Sequence, residues 1–249
     1  MGFFMARLKI KDAENQTKFA ADTIKATAMK LFAEHGVDGV TVREIAAAAG
    51  QKNHGAVGYY FGSKEALVRE IIADGAKAID GRRNAMLDTM LAEKGDLTLH
   101  QVVSAIVYPS VEVFADTPMP NCYMRFITIL NMTHRELFRD TTADRWNSGY
   151  IRCLDLLRKL MPPMSEPAQN QRLIFFGGYI ATMLARRESI IADPANPHPS
   201  WASPQMLEHL TQTASAIVAA PATDIAVTDE KSLPVAASET QVLAGHRLV

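Results

Sequence analysis

The sequence predicts an all-α chain, and three observations carry that expectation. Apolar residues recur at helical spacing along most of the 249 residues, no stretch alternates apolar and polar residues as a half-buried strand would, and prolines fall in the gaps between the apolar stripes. With 48% hydrophobic residues the chain can bury a large core. Its length allows one or two compact units.

Residues 1–16 are mixed and charged without a clear period, and are expected to form a mobile arm. From Thr17 to His35, Ile24, Ala28, Leu31 and Phe32 recur at i, i+4, i+7 and i+8, the stripe of an amphipathic helix, and Gly36 closes it. Thr41 and Glu44 then have capping-box spacing, in which the hydroxyl takes an orphan amide and the glutamate returns to the threonine N–H. A short helix follows, with Val42, Ile45 and Ala49 on one face and Gly50 as its left-handed stop. A second short segment, Asn53 to Tyr60, carries or adjoins Lys52, Asn53, His54, Tyr59 and Tyr60, few of which suit a core. Phe61 points inward, and Gly62-Ser63 supplies a break and an N-cap for a helix starting at Lys64-Glu65-Ala66-Leu67. That helix continues through Leu67, Ile71, Ala78 and Ile79 to about Met90, although Gly75 and Gly81 weaken it by about 1 kcal/mol each relative to alanine.

Glu93 to Asp96 breaks the pattern, and Thr98 with Gln101 offers another capping box. Beyond it the helix-like segments are 98–116, 120–133, 141–161, 165–191 and 203–219. Pro118, Pro120, Pro162-Pro163, Pro194, Pro197 and Pro199 punctuate the gaps, whereas Pro109 falls inside a segment and predicts a kink. From Pro221 the chain is Ala, Thr, Ser, Pro and Val with scattered charges and no aromatic residue, a loosely ordered tail. The expected organisation is arm 1–16, a first helical domain 17–75, a larger helical domain 76–220 and tail 221–249.

The net charge of -1 excludes a polycation that coats nucleic acid indiscriminately. Residues 1–64 nevertheless hold nine Lys/Arg against six Asp/Glu, a modest basic excess that a solvated charged face would also produce. Cys122 and Cys153 sit in apolar helical patterns without metal spacing and are expected to be reduced, buried thiols. The apolar run at the N-terminus is too short for a signal peptide, and the stretch Leu173 to Ala185 is shorter than the roughly 20 residues of a membrane span. A cytoplasmic location without membrane contact is the expectation.

The order Phe32 and Gly36, Thr41, Ile45 and Ala46, Gly50, then Tyr59-Tyr60-Phe61-Gly62-Ser63-Lys64-Glu65-Ala66-Leu67 closely resembles the N-terminal domain of tetracycline-repressor-type (TetR family) transcriptional regulators. The resemblance covers roughly residues 17 to 75. The stretch between Gly50 and Phe61 departs from it, with Gln51-Lys52 where one apolar residue is usual, so the start of the recognition helix is open. The resemblance implies a three-helix helix-turn-helix DNA-binding domain followed by a larger helical ligand-binding and dimerisation domain.

A helix in the major groove shows a few side chains to base edges while its flanks grip phosphates. Asn53 suits an adenine edge, His54 or Lys52 a guanine edge, and Ala56 and Val57 a thymine methyl. Tyr59, Tyr60 and Lys64 resemble the family's phosphate clamp, and Thr41 and Arg43 the clamp on the opposite backbone. For each, burial in the domain's own core or simple solvation is the competing reading, Val57 and Tyr59 above all. A dimer would place two recognition helices about one turn of DNA apart, near 34 to 36 Å, on a near-palindromic double-stranded operator. The resemblance implies a homodimer through the last two helices, where Leu173, Phe176, Ile180 and Leu184 form one stripe and Leu207, Leu210, Ala214 and Ile217 another, equally compatible with burial inside one subunit.

The resemblance further implies a small-molecule effector whose binding releases a repressor from DNA. Candidates for its pocket are Tyr123, Arg125, Phe126, Met132, Phe138, Trp146, Tyr150, Phe175, Tyr179 and Met183, a set whose composition suits a mainly apolar ligand. Ordinary core packing competes for most of them, and surface exposure for Arg125. No cofactor, metal site or catalytic residue is expected, because His100, His134, His198 and His209 are scattered and no nucleophile, acid-base pair or phosphate loop converges. The alternatives are a helical enzyme or an adaptor that binds an apolar ligand without reading DNA sequence.

Overall fold

The computed structural model describes residues 2–111, 113–114, 119–143, 145–193 and 195–221, with side chains from residue 16 onward except at residue 94. Its described residues form helices α1 Gly2–His35, α2 Val42–Ala48, α3 Ala56–Phe61, α4 Lys64–Lys94, α5 Leu99–Val111, α6 Tyr123–Thr133, α7 Arg135–Thr142, α8 Ser148–Leu160, α9 Glu166–Ile191, α10 Pro199–Ala202 and α11 Pro204–Ala219, with no strand. The all-α expectation is met. Residues 2–16 continue the backbone of α1 instead of standing as a separate arm. Past Pro221, the expected tail lies outside the described residues.

Both capping predictions around the turn hold. The Thr41 hydroxyl accepts the Glu44 N–H at 3.2 Å while Glu44 accepts the Thr41 N–H at 2.7 Å, and the Ser63 hydroxyl accepts the Ala66 N–H at 3.0 Å to start α4. Gly50 has φ 67°, the left-handed conformation expected of the residue after α2. α4 runs through Gly75 and Gly81 without interruption. Gly75 has a packing reason: a Cβ there would lie 2.1 Å from Cε2 of the Tyr123 ring. Where a single helix over 141–161 is expected, α7 ends at Thr142 and α8 begins at Ser148. Trp146 between them has φ 52°, which a helix cannot accommodate.

Pro109 lies inside α5 and cannot donate to the carbonyl four residues back. Nε of Arg83, on α4, donates to that Ala105 carbonyl at 3.2 Å. The gap left by the proline is thereby filled from a neighbouring helix.

Two buried cores result. One joins the inward faces of α1 to α4, including Ile24, Phe32, Ile45, Val57 and Leu67, with Tyr123, Phe126, Ile127 and Leu130 of α6. The other joins the later part of α4 with α5, α8, α9 and α11. α6 therefore completes the core of the N-terminal helices, with the Phe126 ring 6.1 Å from that of Phe32. The Leu173–Leu184 stripe of α9 and the Leu207, Leu210 and Ala214 positions of α11 are buried within the subunit, so intersubunit packing is not what these stripes serve.

Candidate nucleic-acid interface and effector cavity

The polar residues expected at the DNA interface gather around the α2–α3 turn. Arg43, Lys52 and His54 are exposed and have no partner among the described residues. Asn53 precedes α3, because its Oδ1 accepts the Gly55 N–H at 2.8 Å in a local turn. Two-point reading of adenine would require that oxygen to be released. α3 begins at Ala56, and both Ala56 and Val57 face the core, at 4% and 0% exposure. The expectation that they meet thymine methyl groups is corrected accordingly. The outward side of α3 is instead Gly58 and Tyr59. Tyr59 is 78% exposed with its ring edge-on to half-buried Tyr60 at 4.9 Å.

Two of the expected phosphate-gripping groups are already engaged. The Thr41 hydroxyl donates to Glu44 Oε2 at 2.8 Å while accepting the Glu44 amide, and the Thr41 backbone N–H holds the exposed Glu44 carboxyl below its usual range. The Lys64 ammonium donates to the Val37 and Val40 carbonyls, both at 3.0 Å, tying the end of the α1–α2 loop to the start of α4. An ammonium has three donors, so one remains for a phosphate. Gly58 on α3 and Ala47 and Ala48 on α2 are also exposed, small residues that the sequence pattern does not single out.

A cavity of about 300 Å³ lies among α4 to α9. Of the ten residues expected to line it, Tyr123, Met132, Phe138, Trp146 and Tyr150 do. The other five do not. Phe126 is in the core shared with α1, Phe175 is 62% exposed on the outer side of α9, and Tyr179 and Met183 pack on the second core. Arg125 is half-buried, and its backbone N–H donates to Glu188 Oε2 at 2.6 Å. The lining that sequence reasoning missed includes apolar Ile79, Ile106, Ile127 and Ile180 and the polar groups of Arg83, Ser110, Thr128 and Asn131. Nothing in the sequence separates Arg83 from an ordinary solvated cation.

Glu188 of α9 is 4% exposed and also accepts the Met124 N–H at 3.1 Å. It thus caps the first turn of α6, where Cys122 makes no side-chain cap. Burial pushes its carboxyl up to about 7 against the opposing pull of those two amides. Both cysteines are free and buried, and burial raises Cys122 to about 12 and Cys153 to about 11, as befits unreactive thiols. No described helix is long and apolar enough to cross a membrane.

Comparison with known proteins bears on this geometry. A family model described as bacterial regulatory proteins, tetR family, matches residues 24–71. Over 87 residues the chain is 33% identical to the HTH-type transcriptional repressor KstR2 of Mycolicibacterium smegmatis, a match spanning 35% of this chain and 42% of that protein. The crystal structure of a protein described as a tetR family transcription regulator from Shewanella sp. PV-4 superimposes with a TM-score of 0.50 at 16% identity. That superposition covers 80% of this chain and 95% of the other, a likeness of fold.

Proposed function

We propose that the chain, whose residues 24–71 match the tetR family model, is a TetR-family transcriptional regulator, a cytoplasmic repressor that leaves a near-palindromic operator when its cavity fills. The observation that carries this reading is the double duty of α6. Tyr123 and Ile127 line the cavity and belong to the buried core of the helix-turn-helix. A ligand that prefers one placement of α6 also prefers one placement of the DNA-reading helices, and only such differential affinity can shift the equilibrium.

In this reading Arg43, Lys52, His54, Tyr59 and the third N–H of Lys64 meet DNA, Thr41 sets the entry of α2, and the chemistry is recognition instead of catalysis. The domain division falls within α4 near residue 75. The subunits pair through the outer faces of α9 and α11, where Phe175 of α9 and His209, Thr213 and Ala216 of α11 are exposed. The test is selection of genomic fragments bound by the purified chain, then fluorescence anisotropy on the selected site with and without small apolar molecules. Sequence-selective binding that is lost on ligand addition is expected. Binding equal on all fragments would overturn the reading and favour an adaptor.

A further inference from the structure

Arg83 is the one charged residue among the described residues that line the cavity, and it is only 7% exposed. Its Nε donates to the Ala105 carbonyl at 3.2 Å, and its Nη2 reaches the Ser110 hydroxyl at 3.4 Å and the Ile106 carbonyl at 3.5 Å. The Tyr150 ring lies 5.4 Å from the guanidinium carbon. These contacts use three of the five N–H donors of a guanidinium. Among the described residues, the two on Nη1 meet no acceptor and no carboxylate lies within ion-pair distance. Asp80, one turn earlier on α4, is the described carboxylate whose charge acts on Arg83, but its oxygens are taken by the Ser148 hydroxyl at 2.9 Å and the Gly149 N–H at 2.7 Å.

A buried cation without an anion is costly, and arginine does not relieve that cost by losing its proton. The missing charge can come from what fills the cavity. We propose that the effector is a monoanionic organic acid with an apolar body, its carboxylate held by Arg83 and its chain along Ile79, Ile127 and Phe138. A single lining cation balances one negative charge, which favours a carboxylate over a doubly charged phosphate. Asn131 lines the same cavity with its Oδ1 buried and without a hydrogen-bond partner among the described residues; that oxygen only accepts, so it suits a hydroxyl or N–H on the ligand's body and not the carboxylate. At about 30 Å³ per water-sized group the cavity holds roughly ten non-hydrogen atoms, the size of octanoate. This inference rests on the cavity being an effector site.

The test measures binding of octanoate, octanamide and 1-octanol to the full chain, by calorimetry and by fluorescence of Trp146, which lines the cavity. The acid should bind roughly 10- to 100-fold more tightly than the two neutral molecules, the range of a hydrogen bond to a charged group. In Arg83→Gln, which can still donate to the Ala105 carbonyl, that preference should shrink to less than about threefold. Arg83→Lys should keep an intermediate preference. Equal binding of all three by the wild type overturns the acid and leaves the apolar cavity standing, whereas binding of none overturns both. A preference undiminished in a folded Arg83→Gln places the anion elsewhere and overturns the assignment. If that variant does not fold, the wild-type series and Arg83→Lys decide.

Discussion

Alanine at Gly75 sets two effects of opposite sign against each other. In an exposed helix, glycine to alanine stabilises by about 1 kcal/mol. At Gly75 the added methyl would lie 2.1, 2.2 and 2.7 Å from Cε2, Cζ and Cδ2 of Tyr123. That ring cannot swing away cheaply. It is 2% exposed, packs edge-on against Phe114 at 5.6 Å, and its hydroxyl donates to the Ile72 carbonyl at 2.9 Å. Forcing a methyl into packed surroundings costs about 1–3 kcal/mol, and losing a buried hydrogen bond costs about 1–3 more. Clash and lost bond outweigh the propensity gain, and the expected net loss is about 1–5 kcal/mol. For a chain of this length that is a fall in melting temperature of roughly 2–20 °C. Urea unfolding of Gly75→Ala, Tyr123→Ala and the double variant would measure it. The double variant should lose less than the sum of the singles, because without the ring the methyl enters vacated space. A Gly75→Ala protein more stable than wild type would refute the packing argument.

Four further outcomes are expected. Burial favours the protonated form of Glu188 in the folded state, so folding takes up a proton between about pH 4.5 and 7 and stability falls as pH rises through that window; melting temperatures from pH 5 to 8 should show this slope flattened in Glu188→Gln, and an unchanged slope would assign it to another group. Lys64→Ala should lose about 1–2 kcal/mol through its two carbonyl bonds and lower the salt dependence of DNA binding by about one ion, and an unchanged salt slope would remove Lys64 from the phosphate contacts. Tyr59→Ala should leave stability within about 0.5 kcal/mol, as for other exposed sites, while weakening operator binding at least tenfold in anisotropy titrations. Phe175→Asp should shift sedimentation from dimer towards monomer without altering the far-ultraviolet spectrum, and a dimer of unchanged strength would place the interface elsewhere.

What could be read from the sequence was whatever depends on local chemistry. The Thr41–Glu44 and Ser63 caps, the Gly50 stop and the stripe from Ile24 to Phe32 are short-range and appear where expected. The start of α3 was not legible, because the Asn53 turn is polar and aperiodic. Each residue of error in a helix start turns every side chain by about 100°, so the sequence alone leaves open which side of α3 Ala56 and Val57 take, and the structure turns both to the core. Packing between distant segments was also hidden. Arg83 follows Arg82 in a polar run, and only the approach of α5 with its Pro109 makes it a buried group. The α9 stripe is equally apolar whether it meets its own subunit or another, and half of the cavity candidates turned elsewhere because composition carries no direction.

The stacking of Phe126 on Phe32 bears on how such a regulator can be re-engineered. A chimera that joins residues 1–75 to the body of another regulator would seat Phe32 and its neighbours against a foreign counterpart of α6, leaving either a void or a clash. Exchange of reading heads should succeed only when the inward face of that sixth helix travels with the head, so the transplantable unit is discontinuous along the chain.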